Sequence, residues 1–387
     1  MRVILTAAAL LGAALTVSAT AAQSPAQTAP APALRGTLAG PFELRSRRFP
    51  GTVRRYWVYV PPGYDPRRPP NLLLFQDGQR ATNPAGSLRV PAVLDTLILQ
   101  HAIPPTLGIF VTLGHHAAHY PDTLGMANPD HRVEEYDALS DDYGWMTLNE
   151  LLPAVAARWR FADDPKRRAI GGTSSGAIAS WTIAWRHPEA FGNVISFIGS
   201  YTSIGLTLGP DGTPRTLGGD LYPGLIRKSP IRPLRIVLQD GSADLDNEHG
   251  NWFLANQQMA KSLAWANAQA DAEHRPGPRY DVRTAWTRGG HSDADGGAIL
   301  PDMLRWIWRD QPAAADAPPL LPETTIFGRV VIGSTVIARN QVSAPSDCSW
   351  IRPCVSGCRP SGPIVARSCT SPTGTPLTTW TARSPTT

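Results

Sequence analysis

Apolar and polar positions alternate between strand-like and helix-like runs from residue 42 onward. Residues 55–60 (RYWVYV) alternate like an antiparallel strand, whereas 71–76 (NLLLFQ) form the continuous apolar run of a buried parallel strand. Further strands are predicted at 108–112, 168–171, 193–198, 234–239 and 280–286, and helices at 90–100, 149–158, 177–187, 256–268 and 298–308. This order predicts an α/β protein with a doubly wound, mainly parallel sheet that opens with an N-terminal antiparallel hairpin.

The two ends of the chain differ in character from the region between them. Residues 1–22 combine a basic start, an apolar run and a small-residue A-x-A site, which is typical of a cleaved secretory signal peptide. We predict a linker at 23–41, the main folded domain at 42–310, and a Pro/Ala linker followed by a low-complexity, disordered tail at 311–387. The expected protein is exported, periplasmic or secreted, without stable membrane insertion.

Composition and charge narrow the classes of partner. The 387 residues, 42% hydrophobic and 17% charged, are enough to bury one large core. The net charge of +5 comes from scattered basic residues that are not interleaved with aromatic ones, so no nucleic-acid partner is expected. All four cysteines lie in the tail, at 348, 354, 358 and 369. Two disulfides with three possible connectivities are favoured there over a zinc site, because no C-x2-C pair is present.

The strongest chemical signal is the G-x-S-x-G sequence at 172–176, which lies between a predicted strand and a predicted helix. In that context the serine occupies a sharp, strained turn, and the flanking glycines let neighbouring backbone pass. The start of the helix directs free N–H groups to the place where an oxyanion forms. Ser174 is therefore the predicted nucleophile, and the alternative is a Gly/Ser-rich loop that only turns the chain.

A serine nucleophile needs a base and an acid that orients the base, and after such a turn the acid precedes the histidine in the chain. Asp240, Asp244 and Asp246 follow the strand 234–239. Asp244 is the predicted acid because it lies in the loop, whereas Asp240 is placed at the strand end and Asp246 is the closest competitor. His291 follows the last strand and a Gly-Gly turn, so it is the predicted base.

Two backbone N–H groups are predicted to bind the oxyanion. One belongs to Ser175, the residue after the nucleophile. The other is assigned to Gln79, in the loop after the strand 71–76, where Gly78 permits a close approach. No cofactor and no metal are needed for this chemistry.

Other candidate residues carry weaker signals. Arg132 and Glu135 lie between a strand and a helix, where they could contact a polar substrate group or form a structural ion pair. Trp252, just after the acid loop, is placed at an aromatic pocket wall. The histidines at 115, 116 and 119 have metal-ligand side chains, but a polar loop is favoured over a zinc site because no carboxylate accompanies them.

The chain resembles the esterase D / enterochelin-esterase-like family of α/β-hydrolases, in particular its exported branch. The resemblance rests on FQDGQ, EYDALSD, RRAIGGTSSGAIA, LQDGSADLDN, NWFLANQQMA and GGHS…GGAILPDMLRWIW, which lie between residues 49 and 310. It implies an α/β-hydrolase fold and metal-free ester hydrolysis by Ser174, His291 and an acid after the strand 234–239. The chain departs from the family where it has Asp293-Ala294-Asp295, since relatives often carry a second histidine there.

These observations predict an exported serine carboxylic-ester hydrolase that acts through an acyl-enzyme. The candidate substrates are small or polysaccharide esters with feruloyl or acetyl groups and siderophore-type esters. An acyltransferase would use the same three residues and differ only in excluding water. A non-catalytic carbohydrate-binding module on this fold is a further alternative, but such a module would have no need to keep Ser174, Asp244 and His291.

Overall fold

The computed structural model describes residues 35–121 and 129–311, together with a short strand pair further along the chain. The predicted signal peptide, most of the predicted first linker and most of the tail with its cysteines therefore lie outside the described residues. The strands are β1 (Thr37–Arg45), β2 (Thr52–Val60), β3 (Asn71–Gln76), β4 (Thr106–Val111), β5 (His115–His116), β6 (Arg168–Thr173), β7 (Asn193–Phe197), β8 (Thr207–Leu208), β9 (Pro214–Thr216), β10 (Arg235–Gly241), β11 (Asp246–Asn247), β12 (Gly250–Asn251), β13 (Asp281–Thr287), β14 (Val331–Ile332) and β15 (Thr335–Val336).

The central sheet has the order β1-β2-β4-β3-β6-β7-β10-β13, and β5 pairs with β2. From β4 to β13 all neighbouring strands are parallel, whereas β2 is antiparallel to β1, β4 and β5. The predicted fold, a mainly parallel sheet with an N-terminal antiparallel hairpin, is confirmed. Strand β1 begins at Thr37, which pairs with Val60, so the sheet starts before residue 42, where the predicted domain begins. A register shift between Ala39 and Phe42 interrupts the alternation that would have predicted this strand.

Helices cover both faces of the sheet. They are α1 (Gly78–Ala81), α2 (Val90–Leu99), α3 (Pro129–Arg132), α4 (Asp142–Met146), α5 (Leu152–Ala156), α6 (Ser175–Arg186), α7 (Tyr222–Lys228), α8 (Trp252–Ala272) and α9 (Asp293–Ile307). Single π-helical turns extend α3 through Val133–Asp137 and join α4 to α5 through Thr147–Leu151. Among the described residues, no helix has the length and apolar character needed to cross a membrane.

Strand β3 shows why the sheet is covered on both sides. Its residues are all buried, and they alternate between two apolar clusters: Leu72 and Leu74 pack into one, and Leu73 and Phe75 into the other. The first cluster includes residues of α5, α6, α7 and α8, and the second includes residues of α2 and α9. A strand buried on both faces is apolar throughout, as its sequence predicts. The carboxyl ends of the parallel strands are thereby fixed at one edge, where the candidate residues lie.

Candidate active site

Ser174 occupies the turn that joins β6 to α6. Its φ of 58° and ψ of −124° place it in a region that non-glycine residues rarely adopt. A Cβ at Gly172 would lie 2.5 Å from the carbonyl carbon of Gly176, so a side chain at 172 would prevent this close turn. The strained conformation presents the serine hydroxyl at the carboxyl end of β6, as expected for a nucleophile elbow.

The structure brings Ser174, His291 and Asp244 together in one hydrogen-bonded chain. The Nε2 atom of His291 lies 2.9 Å from Ser174 Oγ, and the Nδ1 atom lies 2.6 Å from Asp244 Oδ1. The three residues follow β6, β13 and β10, so the parallel sheet sets their spacing. The geometry is that of a serine whose proton can pass to an imidazole held by a carboxylate.

The carboxylate of Asp244 is held in its ionised form. Its side chain has no exposed surface. Burial alone would raise the pKa of this carboxyl, but hydrogen bonds from His291 and Asp240 outweigh burial and lower it. The backbone N–H of Leu245 adds a 2.5 Å hydrogen bond to Oδ1. Asp246, the competing candidate, is exposed and pairs with Asn251 in the β11–β12 hairpin instead.

The two residues assigned to the oxyanion lie at the starts of helices. Ser175 is the first residue of α6, and Gln79 is the second residue of α1, which begins directly after β3. A Cβ at Gly176 would lie 3.1 Å from Asp77 Oδ2, so the end of β3 packs against the start of α6. A Cβ at Gly78 would lie 2.6 Å from the carbonyl carbon of Phe110, so this glycine allows α1 to approach β4.

Ser200 and Trp252 extend the hydrogen-bonded chain. Ser200 Oγ lies 3.2 Å from Ser174 Oγ and accepts a 3.2 Å hydrogen bond from Trp252 Nε1. The Trp252 ring packs edge-on against the His291 ring, with the centroids 5.7 Å apart. Because Trp252 is 1% exposed, it supports His291 and Ser200 within the protein rather than forming an open wall. Ser200 was missed from the sequence, where only its place just after β7 hints at a role.

Arg132 and Glu135 are both engaged in ion pairs. Arg132 forms a bidentate pair with Asp77, at 3.0 and 3.2 Å, and stacks on the Tyr136 ring. Burial lowers the pKa of the Arg132 guanidinium, but the Asp77 carboxylate outweighs it and raises the pKa overall. Glu135 pairs with Arg54 at 2.7 Å, and neither side chain has exposed surface. These contacts match the structural alternative, and substrate contact by either residue stays a prediction.

Asp137, the last residue of the π-helical turn Val133–Asp137, is a buried acid that neighbours Ser175. Burial raises its pKa to about 7, although the neighbouring Ser175 hydroxyl and Arg132 act in the opposite direction. Neither carboxyl oxygen has a well-aligned hydrogen-bond partner among the described residues. This burial could not be predicted from the sequence, because an aspartate between predicted elements is usually solvated.

The three clustered histidines do not converge on one point. His116 Nε2 lies 2.6 Å from His131 Nε2, His119 contacts Glu43, and the His115 ring packs against Tyr120. Within 35–121 and 129–311, no three His, Cys, Asp or Glu side chains are grouped so that they could share a metal ion. The zinc alternative therefore gains no support from this part of the chain.

Comparison with known proteins identifies the family of this chain. The model of the family described as "Putative esterase" matches residues 48–307, which is more than half of the chain. The chain is 26% identical over 271 residues to the iron(III) enterobactin esterase of Dickeya dadantii (strain 3937), covering 68% of this chain and 53% of that protein. It is 28% identical over 149 residues to the enzyme of the same description from Escherichia coli (strain K12), covering 38% and 32%. The chain thus spans about half the length of the first relative and a third of the second.

Two solved structures show a similar fold. One is an enterobactin esterase from Shigella flexneri, crystallised in the presence of enterobactin, with a TM-score of 0.52 and 20% identity over 72% of this chain and 60% of that one. The other is a ferulic acid esterase with a TM-score of 0.51 and 17% identity, covering 71% of this chain and 98% of that one. At these identities the likeness concerns the fold alone.

Proposed function

Because the chain belongs to the "Putative esterase" family of α/β-hydrolase fold, we propose that it is a serine carboxylic-ester hydrolase that acts through an acyl-enzyme. The observation that carries the proposal is the uninterrupted hydrogen-bonded chain from Ser174 through His291 to Asp244. A serine hydroxyl is a poor nucleophile at neutral pH, and this arrangement supplies the base that activates it.

The reaction proceeds in two steps. His291 Nε2 takes the proton of Ser174 Oγ as the oxygen attacks the ester carbonyl, and the tetrahedral intermediate collapses when the imidazolium returns that proton to the leaving alcohol. Water then gives a proton to His291 and attacks the acyl-enzyme. The acid is released, and the proton returns to Ser174. Asp244 holds the imidazole in the required tautomer and stabilises its charged form.

The backbone N–H groups of Ser175 and Gln79 are the proposed donors to the oxyanion. Their helices start at the carboxyl ends of β6 and β3, which are neighbours in the sheet. The partial positive charge at the start of α6 adds to this stabilisation. The loss of one such donor typically costs about 3 kcal/mol of transition-state stabilisation.

We propose that exposed apolar side chains in the segments after β7 and β10 favour esters with an apolar acyl or aromatic part. A backbone hydrogen bond from Ser203 to His249 joins the segment after β7 to the loop after β10. These segments carry large apolar side chains that are 39–57% exposed: Leu206, Leu208, Leu217 and Leu245. Exposed apolar groups of this kind are typical of ligand-binding surfaces. We therefore propose feruloyl, acetyl or siderophore-type esters as substrates, and the relatives' names, iron(III) enterobactin esterase and ferulic acid esterase, point to the siderophore-type and feruloyl classes.

Export of the protein is part of the proposal. Residues 1–22 have the pattern of a secretory signal peptide, and an extracytoplasmic location fits esters that are met outside the cytoplasm. The mature protein would begin at Ala22 or Gln23. Mass spectrometry of the protein recovered from the periplasm and medium of an expressing cell gives this N-terminus directly.

A panel of acetyl, butyryl, feruloyl and catecholate esters tests the proposed activity, with Ser174→Ala as the blank. We expect hydrolysis of at least one ester by the wild type and none above background by the variant. Product analysis with an added alcohol separates hydrolysis from acyl transfer. A wild type inactive on every ester, or a variant that keeps the wild-type rate, contradicts the proposal.

A further inference from the structure

Two buried carboxyl groups lie side by side at the end of β10. Asp240 is the sixth residue of the strand and has 0% exposure, and the Asp244 side chain, in the following turn, has none either. Their side chains are in hydrogen-bond contact with each other. Two carboxylates in contact and away from water repel strongly, so such a pair normally retains one proton.

Only one of the two carboxylate oxygens of Asp244 has hydrogen-bond donors among the described residues. Its Oδ1 atom faces His291 Nδ1 and the Leu245 N–H. Its Oδ2 atom is buried and meets no donor if Asp240 is ionised. A carboxylate oxygen left without a donor in a protein interior costs free energy, so a proton on Asp240 would satisfy it.

The surroundings decide which carboxyl holds the proton. Asp244 faces an imidazole that becomes positively charged during the reaction. Asp240 faces only neutral donors: Asn256 Nδ2 lies 2.6 Å from its Oδ2, and the Gly241 N–H lies 2.6 Å from its Oδ1. We propose that Asp240 is protonated and donates a hydrogen bond to Asp244, which makes it a positioning residue for the Ser174–His291–Asp244 chain. This inference rests on the proposed function of that chain.

No cation among the described residues pairs with Asp240. Helix α8 contributes the neutral Asn256, and β13 contributes Thr287, whose hydroxyl lies 3.4 Å from the Asp240 carbonyl oxygen and also bonds to Asp295 of α9. The neighbouring β7 ends in Phe197, which is apolar. Burial first, and then the hydrogen bond to and the charge of Asp244, raise the pKa of Asp240 to about 9. The carboxyl thus stays neutral at physiological pH.

The proton on Asp240 has two consequences for the reaction. It holds the Asp244 carboxylate in one rotamer, with Oδ1 facing His291. It also limits the buried pair to one negative charge, because ionised Asp240 would repel Asp244 and remove its hydrogen bond. We therefore expect turnover to fall as pH rises through about 9, when Asp240 loses its proton.

Two substitutions of Asp240 distinguish the effect of its proton from the effect of its side-chain volume. Asp240→Asn keeps an N–H donor for Asp244 but cannot ionise, so it should keep most of kcat at pH 8 and lose the alkaline step. Asp240→Leu fills a similar volume without a donor. It should lower kcat by about 10- to 100-fold with KM nearly unchanged. This is the range typical when a residue that orients a metal ligand is lost, and Asp240 is proposed to orient Asp244 in the same way. The substrate is p-nitrophenyl acetate, read from pH 6 to 10.5, with Ser174→Ala subtracted as the blank.

The outcomes distinguish this inference from the proposed function. A wild-type kcat profile without a step near pH 9, an Asp240→Asn profile that keeps the step, or an Asp240→Leu enzyme with wild-type kcat each overturns the role of Asp240. A Ser174→Ala variant as active as the wild type overturns the proposed function instead. If the Leu variant fails to fold, as thermal unfolding will show, the profiles of the wild type and the Asn variant decide the question.

Discussion

Replacing Asp244 with Asn removes one buried charge and little else. The carboxylate has no exposed surface, and its Oδ1 atom lies 2.6 Å from His291 Nδ1. During the reaction the imidazole becomes positively charged, and two unit charges about 4 Å apart at an effective dielectric constant of about 20 attract by ~4 kcal/mol. At ~1.36 kcal/mol per factor of ten, the loss of this attraction lowers kcat by ~10³-fold. The same change in a serine protease of another fold costs ~10⁴-fold.

The matched control is Asp246→Asn, two residues further along the same loop. Asp246 is exposed and belongs to the β11–β12 hairpin, so its charge is screened by water and the rate should change by less than about twofold. The assay compares kcat and KM of both variants on p-nitrophenyl acetate at pH 8, with circular dichroism and thermal unfolding as checks on the fold. Equal losses, or a larger loss for Asp246→Asn, would refute the assignment of Asp244.

Three further predictions concern stability, pH and metal. Arg132→Met should lower the free energy of unfolding in urea by about 3 kcal/mol, because it removes the bidentate partner of the buried Asp77 and leaves that carboxylate only the longer 3.9 Å pair with Arg80. Arg48→Met, which breaks the half-exposed pair with Asp142, should cost less than about 1 kcal/mol. Equal costs would contradict this. Asp137 has a raised pKa, so its burial favours folding most below the unfolded pKa near 4, and that contribution is lost as pH rises to about 7. The stability of the wild type relative to Asp137→Asn should therefore fall between pH 4 and 7, and a constant difference would show that Asp137 is not buried as a neutral acid. Finally, EDTA should have no effect on kcat/KM, because the proposed donors to the oxyanion are backbone N–H groups rather than a metal ion. Inactivation by EDTA that added zinc reverses would contradict a metal-free site.

The fold was predictable because its strands are fully buried. A run such as 71–76 is apolar at every position since both of its faces are covered, and the observed strand has the same bounds. The bounds of strand β1 could not be predicted, because this strand lies at the sheet edge, is mostly exposed and carries a register shift at Gly40-Pro41. Strand β1 pairs with β2 through backbone hydrogen bonds, which produce no pattern of apolar and polar residues in the sequence.

Candidate residues could be named from the sequence where their order along the chain identifies them. They could not be named where their role depends on contacts between side chains that are distant in the sequence. Ser174, Asp244 and His291 follow the strand ends, and the sheet brings those ends together. The partners of Arg132 could not be chosen, because the pair with Asp77 joins positions that are 55 residues apart. Asp240 was placed at the strand end from the sequence, but its contact with Asp244 depends on how the following turn folds back.

Covalent labelling shows whether Ser174 is the residue that forms the acyl-enzyme. The wild type is incubated with a fluorophosphonate ester, and its mass and its residual activity on p-nitrophenyl acetate are followed together, with Ser174→Ala treated in parallel. We predict one adduct per chain, located on Ser174 by peptide mass spectrometry, with activity that falls in proportion to labelling and no adduct on the variant. A wild type that hydrolyses the ester but stays unlabelled, or an adduct of equal extent on Ser174→Ala, would contradict this prediction.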